Sequence, residues 1–343
     1  MRTAPVIFSN TYYRNVVREY GYGDFEFDRF GFELAGFSAE ELNLRWLCHH
    51  RAEGFLSTPR SARVVTTGFG MSGVPHMGTV GQILGMSKLQ QGGEFTQIVL
   101  GDLDAYNGKG RSLSEARDLA DRFAAFCRRL GYDDSAGVLR SQFEEVDTVR
   151  NLYLLSHFAD DADFDDAEED NHAYYASLGI VASAMTFPRK VSLALMASDF
   201  ITLGQDFDAV LVLLGIDEHK YVRFAAEIAR RLDSNTTLRG DFTLGSIYSR
   251  LASGFGGHPK MSKSIPESSI SVTSTPDQIV DRIAGDTAVL AAESPSFQLI
   301  NQLFLRDYGD CVDLVGECAT NSQAWRSAKA ELADYLISVT ELW

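Results

Sequence analysis

Residues 62–67 (ARVVTT) form a short apolar run that leads into the loop GFGMSGVPHMG, and Thr79–Leu89 then repeats apolar positions at helical spacing. A strand, a glycine-rich turn and a helix are predicted in that order. Thr96–Leu100, ending at Gly101-Asp102, reads as a second strand. From Ser112 the pattern is helical: Ser112 with Glu115 fits a capping box, Leu119, Phe123, Phe126 and Leu130 share one face, and Gly131 supplies the stop. Ala209–Ile216 (AVLVLLGI) is continuously apolar, as a parallel strand covered on both faces should be, and Glu218–Leu232 turns Tyr221, Ala225, Ile228 and Leu232 inward. Strands alternating with helices predict a doubly wound α/β sheet. Ligands of such sheets sit beyond the carboxyl ends of the strands, where the GFGMSGVPHMG loop and Gly215-Ile216-Asp217 would meet.

The flanks are less regular. Residues 1–60 are rich in Phe and Tyr, with the acidic-aromatic stretch YGYGDFEFDRFGFELAGF, and read as ordered. The acidic run Asp160–Asp170 repels itself and reads as an exposed linker. Beyond a Ser/Thr-rich turn, residues 275–343 read as helical, with Leu299, Leu303, Leu332 and Leu336 as core candidates.

Composition adds bounds. With 343 residues, 45% of them apolar and 23% charged, the chain can bury one large or two medium cores. Ala209–Ile216 is too short to span a bilayer and Met1–Tyr20 lacks the apolar centre of a signal peptide, so a cytoplasmic protein without membrane contact is expected. Cys48, Cys127, Cys311 and Cys318 lack the spacing of a zinc site and read as buried thiols, and no metal site of the protein's own is expected. A net charge of −16 works against an extensive nucleic-acid footprint, yet leaves room for a local basic surface.

Two motifs carry the chemistry: PHMG (Pro75–Gly78) opening the first helix, and PKMSKS (Pro259–Ser264) in a glycine-rich loop, about 180 residues apart. A helix N-terminus favours negative charge, and glycine admits a ligand close to the backbone. His76 at that point either caps the helix or meets a phosphate. Lys260 and Lys263, in a loop that begins GFGGHP, either reach phosphates or form a solvated basic loop.

Together the motifs resemble the HIGH and KMSKS pair of class I aminoacyl-tRNA synthetases, the tryptophanyl type above all. TTGFGMSGVPHMG resembles eukaryotic and archaeal members, KMSKSIPESSISVTSTPDQI and RFGFELAGFS resemble the eukaryotic type, and SLALMASDFITL and LLGIDEHKYVRFAAEIARRL resemble bacterial ones. The resemblance implies a Rossmann-like catalytic domain over residues 61–265 with a helical insertion at about 106–190, preceded by an N-terminal segment (1–60) and followed by a short helical domain (266–343). It implies ATP with Mg²⁺ as cofactors, and an adenylate formed by attack of an amino acid carboxylate on the α-phosphorus. His76, Lys260 and Lys263 would be catalytic; Gly68, Gly70, Gly78, Thr79, Gly215, Asp217, Met261 and Ser262 would join them around ATP. Met196, Asp199, Glu218 and Thr66 would line the amino acid pocket, Asp199 accepting an indole N–H. Partners would be tryptophan or a related amino acid, tRNA, and a second copy of the chain docked through the insertion, to which the Ser112–Leu130 helix could contribute.

The chain departs from that pattern at Thr79, where HIGH has its second histidine, at Glu218, where glutamine is usual, and at Ser192, where the bacterial type has tyrosine. The 79 residues after Ser264 are fewer than the family's anticodon-reading domain. Two other functions therefore stand beside a tryptophan-tRNA ligase: a paralogue adenylating an amino acid for another acceptor or for tRNA-dependent biosynthesis, and a non-catalytic binder of amino acid or tRNA. Asp217 as a helix N-cap and Asp199 as an exposed helix carboxylate are the plain alternatives for those two residues.

Overall fold

The computed structural model describes residues 15, 18, 19, 30–165, 167, 179, 185–250, 252–258, 260–263 and 265–343. A helix, Ala39–Arg45, precedes the strands β1 (Cys48–His50), β2 (Arg63–Gly70), β3 (Thr96–Gly101), β4 (Gly137–Ser141), β5 (Ala209–Gly215) and β6 (Thr243–Ser249). The sheet order is β1-β6-β5-β2-β3-β4. All pairs are parallel except β1 with β6. The chain runs outward from β2 through β3 to β4, then crosses back to add β5 and β6 on the other side. The order therefore reverses between β2 and β5, and a crevice opens there at the strands' carboxyl ends.

Alternation along the central strands builds a core on each face. Leu211 and Leu213 of β5 join Val65, Ile98, Met77, Phe123 and the C-terminal Leu299, Leu303, Leu332 and Leu336. Val210, Val212 and Leu214 join the helices Phe187–Asp206 and His219–Arg231. Four cysteines expected to be buried are buried.

The structure refines several sequence expectations. Ser112 caps the Leu113–Arg129 helix, but the Glu115 carboxylate accepts the Ser112 hydroxyl at 2.8 Å, so the cap is not a reciprocal box. Ala116, Ala120 and Cys127 are the fully buried row with Phe123 and Phe126, while Leu119 and Leu130 are half-buried. Of the acidic run, residues 160–165 and 167 are described, and Asp161–Asp165 is a helical turn rather than a free linker. Arg231 and Lys190 hold it, at 2.6 Å from Asp163 and 2.7 Å from Asp161, offsetting the self-repulsion. Residues 166 and 168–170, the start of the acidic-aromatic stretch, Pro259 and Ser264 lie outside the described residues. No described helix is long and apolar enough to cross a membrane.

Candidate functional site

The loop after β2 returns to the crevice at His76, which caps the Met77–Gln91 helix: its backbone is extended (φ −98°, ψ 169°) and its Nδ1 accepts the Thr79 N–H at 3.3 Å. With Nδ1 as acceptor, the neutral ring carries its proton on Nε2 and keeps one donor. Burial, aided by Lys263 and Lys260, holds the imidazole pKa down at about 3. Capping and ligand contact are thus compatible roles for one side chain. Gly78 permits the arrangement, since a Cβ there would meet His76 Cε1 at 3.0 Å.

The lysine loop is stitched to the same helix start. Met77 N–H donates to Ile270 O at 2.8 Å, and Val272 N–H to Pro75 O at 3.1 Å. Lys263 Nζ donates to Gly70 O at 3.2 Å, at the tip of β2. Burial lowers its pKa to about 8, against the pull of Glu218. Lys260 Nζ lies 2.8 Å from Asp217 Oδ2. The N-cap alternative for Asp217 fails: Glu218 occupies the cap position of His219–Arg231, and Asp217, buried in the preceding turn, holds Lys260. Gly68, Gly70, His76, Gly78, Thr79, Gly215, Asp217, Lys260, Met261 and Lys263 all border one cavity, while Ser262, Met196, Asp199 and Glu218 border the larger cleft adjoining it.

Thr66 does not reach either. It lies one pleat below Gly68 on the same face, buried in the sheet, and Thr67 borders the cleft instead.

Asp199 is buried, not exposed, and both its oxygens are engaged: Arg140 Nη2 donates at 2.6 Å and Gln142 Nε2 at 2.7 Å. Burial raises its carboxyl above the usual range while these donors pull the other way. Gln142 Oε1 in turn accepts the Asp104 N–H at 3.2 Å, so one chain of polar contacts joins β4, the Phe187–Asp206 helix and the Asp102–Lys109 helix. Arg189 stands across the cleft, bonded to Tyr221 OH at 2.9 Å and 3.5 Å from Asp104 Oδ1. Serine at 192 follows from packing, because a Cβ on Gly108 would already sit 2.9 Å from Ser192 Oγ.

The sequence reading missed Asp104, Arg140, Gln142, Arg189 and Tyr221. Asp104 was discoverable, being an acidic residue just past the carboxyl end of β3. The others needed the register of β4 and the packing of two distant helices.

Residues 163–285 match the family model of class I tRNA synthetases (W and Y). No curated protein matches the chain. Among solved structures, a tryptophanyl-tRNA synthetase from the hyperthermophilic archaeon Aeropyrum pernix K1 is similar, with a TM-score of 0.77 and 19% identity, covering 97% of this chain and 93% of that one. A tryptophanyl-tRNA synthetase homolog from Entamoeba histolytica gives 0.74 and 12% over 99% and 94% of the two chains. The tyrosyl-tRNA synthetase from Archaeoglobus fulgidus, solved with L-tyrosine, gives 0.69 and 19% over 97% of each. Residues 163–285 are thus similar to the class I tRNA synthetase (W and Y) family, and the chain has a Rossmann-like fold that it shares, over nearly its whole length, with solved tryptophanyl- and tyrosyl-tRNA synthetases.

Proposed function

We propose that the chain activates an amino acid, tryptophan first among candidates, as an aminoacyl adenylate and transfers it to tRNA. The observation that carries this reading is the meeting of His76, Lys260, Lys263 and Asp104 around the tip of β2.

The phosphates of ATP would lie at the N-terminus of the Met77–Gln91 helix, against the His76 Nε2–H and both lysines. The amino acid carboxylate attacks the α-phosphorus, an O–P bond forms, and the bond to the β-phosphate oxygen breaks to release pyrophosphate. Lys260, Lys263 and the Mg²⁺ carried by ATP bear the charge that develops, and positioning supplies most of the acceleration. Asp217 exchanges Lys260 for the ribose hydroxyls as the nucleotide enters. In the second step a 3′-hydroxyl of the acceptor attacks the acyl carbon and AMP departs.

The α-ammonium needs an anion near Gly70. Asp217 holds Lys260 and Asp199 holds Arg140. Asp104 Oδ1 makes no hydrogen bond among the described residues, and Asp104 Oδ2 lies 3.5 Å from where a Cβ on Gly70 would be. Asp104 meets Arg189 only at 3.5 Å, against 2.8 Å and 2.6 Å for the cations on Asp217 and Asp199, and is therefore the carboxylate assigned to the ammonium, with Glu218 lining the same cleft. Val99, Met196 and Phe200 give the side-chain end an apolar lining suited to an aromatic ring, and Asp199 retains lone pairs for a ring N–H. Lys109, Arg111 and Arg282 gather at the cleft mouth, a basic rim on an acidic protein that favours a phosphate-bearing acceptor.

Pyrophosphate exchange into ATP, run with each of the twenty amino acids and then with total tRNA, tests this. Exchange with tryptophan supports it, exchange with tyrosine alone corrects the amino acid, and none with any overturns it. Asp104→Asn is expected to raise the KM of the amino acid roughly tenfold or more, as loss of a charge-assisted hydrogen bond does, with the KM of ATP unchanged.

A homodimer belongs to the same reading. Val146, Val149 and Tyr153 are 71%, 42% and 79% exposed along one stripe of the Val146–Leu155 helix, inside the expected insertion and beside the exposed Phe143. Light scattering at micromolar concentration should give twice the chain mass, and Val149→Asp should shift it toward the monomer. A wild-type monomer would refute the dimer.

A further inference from the structure

The cations of the C-terminal region and those of the cleft mouth are engaged differently. Residues 275–343 carry eleven carboxylates against four cations. Three of the four are tied up within the fold. Arg306 pairs with Glu331 and donates to Leu305 O at 3.1 Å, Lys329 Nζ donates to Asp286 O at 2.9 Å, and Arg326 donates to Asn321 O at 2.5 Å and to Gln323 Oε1 at 3.0 Å. The fourth, Arg282, borders the cleft. Between Arg306 and Arg326 the chain has no basic residue, while Asp307, Asp310 and Asp313 stand exposed at the start of the Tyr308–Thr320 helix.

Arg45 fixes this acidic surface in place. Buried at the end of the Ala39–Arg45 helix, it donates from Nη1 to Asn301 O and Oδ1 (2.5 and 3.1 Å) and from Nη2 to Arg306 O (3.3 Å), one residue before Asp307. The cleft mouth has the opposite character. Lys109 and Arg111 are exposed on either side of Gly110, whose φ of +66° ends the Asp102–Lys109 helix, and Arg282 joins them from the Pro276–Gly285 helix, with the hydroxyls of Ser271 and Thr273 on the same cleft. The side chains of Lys109, Arg111 and Arg282 make no hydrogen bond or ion pair among the described residues. Nucleic-acid affinity comes mainly from cations that replace the counterions of phosphates, and carboxylates repel the same phosphates. Three unengaged cations suit a few phosphates at the cleft and nothing longer.

We propose that the acceptor RNA is recognised by its 3′ arm alone. Lys109, Arg111 and Arg282 hold the phosphates of the unpaired 3′ end at the cleft mouth, and the acidic C-terminal surface turns the rest of the RNA away. The full substrate is then a short helix with an unpaired 3′ end, and the anticodon makes no contact. This rests on the acyl acceptor being RNA, as in the reading above.

Fluorescence anisotropy with 5′-labelled RNAs reads the proposal without catalysis. The probes are a full-length tryptophan tRNA transcript, the same transcript with its anticodon replaced, a minihelix carrying only its acceptor arm, and that minihelix with the unpaired 3′ end removed. The first three are expected to bind within about threefold of one another, and the last about tenfold more weakly, because it lacks the phosphates that the three cations hold. The logarithm of the association constant should fall with the logarithm of salt concentration on a slope of about −2 to −3, as three phosphate contacts give. Arg111→Ala and Arg282→Ala should each reduce that slope by about one for tRNA and minihelix alike, and Arg326→Ala should leave it unchanged. A comparable loss of affinity on replacing the anticodon or on shortening to the minihelix, or equal binding of the trimmed minihelix, overturns the proposal. Equal binding of tRNA and minihelix by a protein that exchanges no pyrophosphate sinks the synthetase reading and leaves the acceptor-arm proposal standing. Exchange with tryptophan together with dependence on the anticodon does the reverse.

Discussion

Replacing Lys263 by alanine is expected to slow pyrophosphate exchange by about a hundred- to a thousand-fold, the loss found when one preorganised donor to a charged transition state is removed. Lys263 already sits at the tip of β2 on Gly70 O, so its charge is placed before the phosphates arrive. Its pKa of about 8 adds a pH signature. Below pH 8 the free protein presents an ammonium; above it, ATP must bind together with a proton. The KM of ATP should therefore rise about tenfold per unit above pH 8, until the higher pKa of the ATP-bound lysine is reached. In the ligand-free protein the folded state binds fewer protons than the unfolded chain between about 8 and 10.5, so this group's contribution to stability increases with pH across that window. Lys263→Ala should abolish both dependences. Exchange within a few-fold of wild type would remove Lys263 from the chemistry.

Asp199→Ala should unfold the protein more readily before it tells anything about specificity. The Arg140–Asp199 pair has side-chain exposures of 10% and 4%, and deleting one partner strands a buried guanidinium at a cost of about 3–5 kcal/mol. The melting temperature should fall by on the order of 10 °C. Arg140→Leu combined with Asp199→Leu should recover most of the loss, because a buried ion pair exchanged for apolar groups is close to neutral. An unchanged melting temperature with about 2 kcal/mol lost from tryptophan activation would instead leave Asp199 its role toward the ring and remove its role in holding the fold.

How much of this was legible beforehand depended on whether the signal was local. The strands β2, β3 and β5 and the His219–Arg231 helix announce themselves because each is covered by its neighbours and must be apolar along its own length. β1 is three residues reading Cys-His-His, and its pairing with β6 across almost two hundred residues is written nowhere near it. β4 and β6 mix polar and apolar residues and acquire their state from the strand beside them. The site divides the same way. His76, Lys260, Lys263 and Asp217 sit in short motifs at strand and helix ends. Asp199 was singled out as a pocket candidate without its surroundings: Arg140 and Gln142 arrive from 59 and 57 residues away, and only they turn a candidate substrate acceptor into half of an ion pair. Thr66 was misplaced by a single pleat, a depth that alternation cannot encode.

The Arg45 clamp bears on what counts as a unit of this molecule. Chemistry suggests cutting at residues 61 and 265, since every expected catalytic group falls between them. Folding does not respect that cut. Phe30, Leu42 and Phe55 from one side and Leu299, Trp325 and Leu336 from the other belong to a single continuous apolar core with β2 and β5. Arg45 ties the two flanks to each other rather than to the centre. An excised 61–265 fragment would therefore present a wide greasy face to water and lose Arg45, Trp46, Gln302 and Phe304 from the lining of the cavity beside the Met77–Gln91 helix. The expected catalytic residues are gathered in the middle of the chain, but the flanking segments complete the enclosure around them.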